Sequence, residues 1–242
     1  MKILAFDTCL DKMYVALGEN GELLDSKIVK TTESNYHSAF LISTIKDILR
    51  ENHLTPQDID VVATNIGPGS FTGIRACTTV ARVFAQGMGI KTVGISSLEI
   101  LSKITLEEEK GKRKKEKEES KQEVQICSPV HLFTLSPSKT LVALDARKEM
   151  AYVAIFDSGK QILAPQTISI AELKELIAKE DYFIVTDNRL EPILGGISYQ
   201  KQDDDLGQYL IQITAEKINT DFDTDWRKLL PLYIQPPAVN KG

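Results

Sequence analysis

The run Gly67-Pro68-Gly69-Ser70-Phe71-Thr72-Gly73-Ile74-Arg75 is where the types and spacing of residues most suggest chemistry. It follows a β-branched stretch, residues 61–66, and precedes a helical pattern over about 72–86. Glycine there permits positive φ and close backbone approach, and a helix start offers unpaired N–H groups to an anion. The same glycines equally suit a tight strand-to-helix turn between closely packed backbones. Both readings fit the sequence. The run is not a P-loop, because no Gly-Lys-Ser/Thr follows, and it lacks the dinucleotide fingerprint.

Asp7-Thr8 closes the first apolar run. An acid and a hydroxyl at a strand end occur in the phosphate loops of actin-like ATPases, although the extra glycine of that loop is missing here. Asp7 capping the turn with Thr8 packed beneath it fits as well. The three histidines, His37, His53 and His131, form no metal pair; one turn beyond His37 stands Leu41. Cys9, Cys77 and Cys127 form no CxxC and read as reduced, buried thiols. No Gly-x-Ser-x-Gly elbow is present. Asp145-Ala146-Arg147-Lys148-Glu149-Met150-Ala151-Tyr152 joins two strand patterns, and its Asp-x-Arg reads as a salt-bridged hairpin.

These residues need elements to hold them. Residues 3–7 and 13–19 read as strands, and Asn20-Gly21 predicts a type I′ hairpin into a third. A helix over about 37–51 gathers Phe40, Leu41, Ile45, Ile48 and Leu49 on one apolar face. Strands follow at 61–66 and 91–95, and Ser96 with Glu99 fits a capping box. The order β-β-β-α-β-α-β-α predicts a mixed sheet covered by helices. Residues 107–123 are almost all Lys, Arg and Glu, predicting a solvated helix or a mobile loop. Strands resume at 141–144 and 152–156, then a helix opened by the Ser169/Glu172 capping box, a strand at 182–185 and a last helix over 206–218. The apolar tail 229–234 is expected to dock. The domain reading is a first half over 1–104, a charged insertion and linker over 105–139, and a second half over 140–242 whose tail packs back on the first.

Composition narrows the class. The 242 residues are 42% hydrophobic, enough for a real core, and the net charge of −5 argues against a phosphate-gripping surface overall. No signal peptide and no bilayer-spanning stretch is read from the sequence, so a cytoplasmic protein is expected.

Several of these segments together resemble the TsaB (YeaZ) family: Ile3-Leu4-Ala5-Phe6-Asp7-Thr8 with Val15-Ala16-Leu17, His37-Ser38 entering the first helix, the glycine run 67–75, Asp145-Ala146-Arg147 with Glu149 and Tyr152, and Pro231-Leu232-Tyr233. Cys9 stands where that family often has a small polar residue, and the charged insertion departs from it. The resemblance implies an α/β, actin-like (ASKHA) fold of two similar halves, each a mixed sheet flanked by helices. It implies a non-catalytic subunit for threonylcarbamoyl transfer to an anticodon-loop adenosine of tRNA, t6A formation. TsaD and TsaE are the implied partners, with a homodimer when the chain is alone and tRNA reached through the complex. No cofactor is expected to bind tightly; ATP and metal are expected on the partner subunits. The implied partner interface comprises His37, Leu41, Ile45, Gly69, Phe71, Thr72, Ile74 and Arg75, with Asp7 and Thr8 as a candidate nucleotide loop. The competing reading is a stand-alone actin-like ATPase or metallopeptidase-like enzyme, which needs a ligand cluster or a full set of phosphate loops.

Overall fold

The computed structural model describes residues 1–29, 37–104, 139–202, 205–220 and 222–234. The charged run 107–123, Cys127 and His131 lie outside the described residues.

The chain forms two compact units, one from residues 1–100 with 203–242, the other from 101–202. The first contains β1 (Lys2–Asp7), β2 (Met13–Glu19), β3 (Glu22–Val29), α1 (His37–Glu51), β4 (Val61–Asn65), α2 (Phe71–Met88) and β5 (Lys91–Ile95). Helical residues 97–104 (α3) follow. Its sheet has the order β3-β2-β1-β4-β5. β1 runs antiparallel to β2 and parallel to β4, which runs parallel to β5. Asn20 and Gly21 both hold positive φ, 54° and 93°, as a type I′ hairpin requires.

Side-chain alternation assigns the two faces of this sheet. Leu4, Phe6, Val15, Leu17 and Val62 meet Leu41, Ile45, Ile48 and Leu49 of α1 and Ile74, Cys77 and Ala81 of α2 in one core. On the other face lie Ala16 and Gly18, covered by a helix from the far end of the chain, α6 (Leu206–Ile218). The fit is close: a Cβ on Gly207 would come within 2.8 Å of the Ala16 Cβ, and one on Gly18 would strike Ile211. Asp205 caps α6, accepting from the Gly207 N–H at 2.9 Å and from the Ser26 hydroxyl of β3.

The sequence reading placed 140–242 in one second half. The boundary differs because α6 buries Leu206, Leu210, Ile211 and Ile213 against the strands of the first sheet. Helical periodicity shows that a face must be buried but not against which sheet. Beyond α6 the chain continues as a strap: Leu229 enters the first core, and the Leu232 N–H donates to the Ile66 carbonyl at 2.8 Å.

The second unit contains β6 (Lys139–Arg147), β7 (Met150–Asp157), β8 (Lys160–Ser169), α4 (Ile170–Ile177), β9 (Phe183–Thr186), α5 (Glu191–Leu194) and β10 (Ile197–Ser198). The Ser169/Glu172 capping box opens α4 in full, with the Ser169 N–H on Glu172 Oε2 at 2.8 Å and the Glu172 N–H on Ser169 Oγ at 3.2 Å. Its sheet order, β10-β9-β6-β7-β8, is the first sheet's order repeated. This duplicated mixed sheet is the actin-like architecture. Among the described residues no helix is long and apolar enough to cross a membrane.

Candidate functional site

β1 and β4 are parallel neighbours, so their last residues, Asp7 and Asn65, arrive together at one edge of the first sheet. Each side chain turns the backbone that follows it. Asp7 Oδ1 accepts from the Cys9 N–H at 2.6 Å, and Asn65 Oδ1 accepts from the Gly67 N–H at 2.8 Å and from Ser97 Oγ at 3.0 Å. Asp7 has no exposed surface. Burial pushes its carboxyl up to about 6, against the opposing pull of the Cys9 N–H. Asp7 Oδ2 and Asn65 Nδ2 are buried without a hydrogen-bond partner among the described residues.

The glycine run then crosses the turn after β1. The Ser70 N–H donates to the Cys9 carbonyl at 2.8 Å, and the Thr8 hydroxyl donates to the Gly73 carbonyl at 3.0 Å. A Cβ on Gly73 would collide with the Thr8 carbonyl oxygen, and one on Gly69 with that of Cys9. The glycines are therefore needed for backbone packing, which decides between the two sequence readings in favour of the tight turn. Ser70 caps α2, accepting from the Gly73 N–H at 3.3 Å. Gly67, at φ 104°, lies under Leu232, whose carbonyl oxygen would be 3.3 Å from a Cβ there.

The candidate nucleotide loop is corrected by this geometry. Asp7 is enclosed and the Thr8 hydroxyl is committed to Gly73, so neither reaches a ligand in solvent. The fold also gathers what spacing could not reveal: donor atoms of Asp7, Cys9 and Cys77 lie within 4.8 Å of one another, all buried. Their sulfurs are already engaged. Cys9 Sγ donates to the Asn65 carbonyl at 3.4 Å, and Cys77 Sγ accepts from the Thr8 N–H at 3.2 Å. Burial pushes the Cys9 thiol well above its ordinary range, which keeps it neutral and inert.

The interface residues implied by resemblance divide into two groups. Leu41, Ile45 and Ile74 belong to the core, at 0%, 4% and 3% exposure, and are corrected to structural roles. A helix lying on a sheet must turn its i, i+4, i+7 stripe inward. Gly69, Phe71, Thr72 and Arg75 are exposed, and His37 is the first residue of α1. Outside the core stripe α1 presents Phe40 and Ile42, exposed by 47% and 48%. The sequence pattern groups Phe40 with the buried face, but it lies outside that face. The strap adds Tyr233, whose ring centroid is 5.7 Å from that of Phe71, while the Arg75 guanidinium lies 5.4 Å from the same ring on which it stacks.

In the second unit the corresponding strand ends carry charge. Asp145 Oδ1 accepts from the Arg147 N–H at 3.0 Å, but its other oxygen pairs with Arg189 at 2.8 Å, not with the Arg147 side chain expected from the sequence. Asp187 accepts from the N–H groups of Arg189 and Leu190, both at 2.9 Å, and from that of Asp145 at 2.7 Å.

Comparison with known proteins adds relatives to this geometry. The family model for TsaD, tRNA N6-adenosine threonylcarbamoyltransferase, matches residues 27–114. The tRNA threonylcarbamoyladenosine biosynthesis protein TsaB of Buchnera aphidicola is 32% identical over 101 residues, 41% of this chain and 44% of the relative. TsaB of Bacillus subtilis is 30% identical over 102 residues, 42% of this chain and 44% of the relative. The matches thus span under half of these relatives' length. Over nearly the whole chain the fold is that of YeaZ from Pseudomonas aeruginosa, with a TM-score of 0.69 at 18% identity, covering 96% of this chain and 99% of that one. In sequence over about two fifths of its length, and in fold over nearly all of it, the chain is similar to the TsaB (YeaZ) proteins.

Proposed function

We propose that the chain is a non-catalytic scaffolding subunit for threonylcarbamoyl transfer to the anticodon-loop adenosine of tRNA, working as the partner of a TsaD-type protein. The carrying observation is the closed turn after β1. Where an actin-like enzyme needs open backbone for phosphate, the Gly69–Gly73 backbone is packed onto Thr8 and Cys9. The names of the relatives supply the pathway. In this reading the exposed parts of α1 and α2 meet TsaD, TsaE joins the assembly, and ATP and metal reside on those partners. The isolated chain forms a homodimer through the same helices, tRNA is reached only through the complex, and the setting is the cytoplasm.

The test is reconstitution. The purified chain, given tRNA and threonylcarbamoyl-adenylate, is expected to modify nothing alone and to raise modification when a TsaD-type protein from the same genome is added. Modification by the chain alone would establish an enzyme instead.

A further inference from the structure

Among the described residues three two-residue hairpins join neighbouring strands, and each holds both turn residues at positive φ. They are Asn20-Gly21 between the paired Glu19 and Glu22, Lys148-Glu149 between Arg147 and Met150, and Ser158-Gly159 between Asp157 and Lys160. Only the first sets a carboxamide beside a glycine.

That neighbour matters chemically. The main-chain nitrogen after an asparagine, once deprotonated, attacks the carbonyl carbon of the side chain. A C–N bond forms, the carboxamide nitrogen leaves as ammonia, and a cyclic imide remains. Water opens the imide at either carbonyl, giving aspartate or the β-linked isoaspartate. A side chain on the attacking residue obstructs the closure, and glycine has none. The other described asparagines lack this neighbour: Asn52, Asn65, Asn188 and Asn219 precede His53, Ile66, Arg189 and Thr220. Asn52 also commits its carboxamide to Asp25 at 2.7 Å and to the Ile48 carbonyl at 2.8 Å, and Asn65 has no exposed surface. Asn20 is exposed.

We infer that Asn20 is a self-modification site, converting to isoaspartate at a rate set by its hairpin. Ring closure brings the Gly21 nitrogen onto the Asn20 side chain, with ψ turned far from the ~30° of a type I′ turn. The folded turn opposes that rotation. The Asn20 N–H donates to the Met1 carbonyl at 2.9 Å, its carboxamide oxygen accepts from the Met1 nitrogen at 2.8 Å, and Glu19 pairs with Glu22 across the ladder. Gly21 also rests on α6, where a Cβ would stand 3.0 Å from that of Ala215. The reaction therefore runs through local opening of the turn.

The two products differ in consequence. Aspartate keeps the main chain and tolerates the left-handed region. Isoaspartate lengthens the main chain by one methylene. A two-residue turn has no slack for it, so either the Glu19–Glu22 register or the contact with Ala215 must give. The product belongs to the substrate class of methyltransferases that esterify isoaspartyl carboxylates.

The experiment ages the full chain in mildly alkaline buffer, folded and in urea. Isoaspartate is read by methyl transfer from S-adenosylmethionine with an isoaspartyl methyltransferase, and located by peptide mapping. The control is Asn20→Ser, which repeats the Ser-Gly turn the chain already builds at 158–159. Expected are label in the peptide containing residues 20–21, rising with pH and growing about tenfold or more faster in urea, and none from that peptide in Asn20→Ser. Aged wild type is expected to melt below fresh protein, and aged Asn20→Ser to melt unchanged. Label that appears first at another asparagine, or a folded chain that stays unlabelled, overturns the site. Equal rates folded and in urea overturn the control by the hairpin. A labelled wild type that melts like fresh protein overturns the strain against α6.

Discussion

The ends of the central strands in the two units perform one task with different materials. Four side chains, Asp7, Asn65, Asp145 and Asp187, each accept from the backbone N–H two residues on. In the first unit the turn is sealed under α2, eighteen residues long, and Asp7 is enclosed. In the second the crossover after β9 holds only the four-residue α5, and the carboxylates are shared with Arg189, whose side chain is 74% exposed. A duplicated topology thus fixes where turns fall but leaves their dielectric surroundings to the crossover. A long helix packed by glycines excludes water. A short one leaves an ion pair open to solvent on its arginine side, where it contributes little.

The strongest way to break this contrast is to remove the enclosed charge. A carboxyl raised to about 6 from 3.8 binds its proton more readily folded than unfolded, so stability falls as pH rises through that interval. Relative to wild type, Asp7→Asn is expected to gain about 2 kcal/mol between pH 4 and pH 7, most of the full effect of the shift. Urea unfolding of both proteins across that range reads the difference, and a constant offset would show that Asp7 is not buried as a charge. Next comes the seal. Gly73→Ala should cost about 1–3 kcal/mol through its clash with the Thr8 carbonyl. Gly87→Ala, in the same helix with open space around it, should stabilise by about 0.4–1 kcal/mol. Equal melting shifts for the two would deny the close approach. Smallest is the solvated pair: Arg189→Ala should change stability by less than about 1 kcal/mol, and that loss should shrink in high salt.

Local signals in the sequence were read correctly where the cause is local. The Asn20-Gly21 hairpin and the Ser169/Glu172 box depend on a few neighbouring residues. What failed depends on distant partners. Phe40 sits beside Leu41 in a helical pattern that does not reveal where the sheet ends its coverage. The meeting of Cys77 with Cys9 requires α2 to return over the β1 turn, and nothing in the spacing announces that. The glycine run was legible as a site of close approach, but whether it approaches an anion or a carbonyl could be decided only by what lies opposite.

The first unit is assembled from both ends of the chain, residues 1–100 and 203–242, with the second unit lying between them in sequence. During synthesis the face of the first sheet that carries Ala16 and Gly18 therefore emerges roughly two hundred residues before the helix that covers it. The second unit is continuous and can close as soon as it leaves the ribosome. Residues 1–100 are translated before the second unit but completed after it, and until Ile218 has emerged the stretch of the first sheet around Ala16 and Gly18 lacks the helix that covers it.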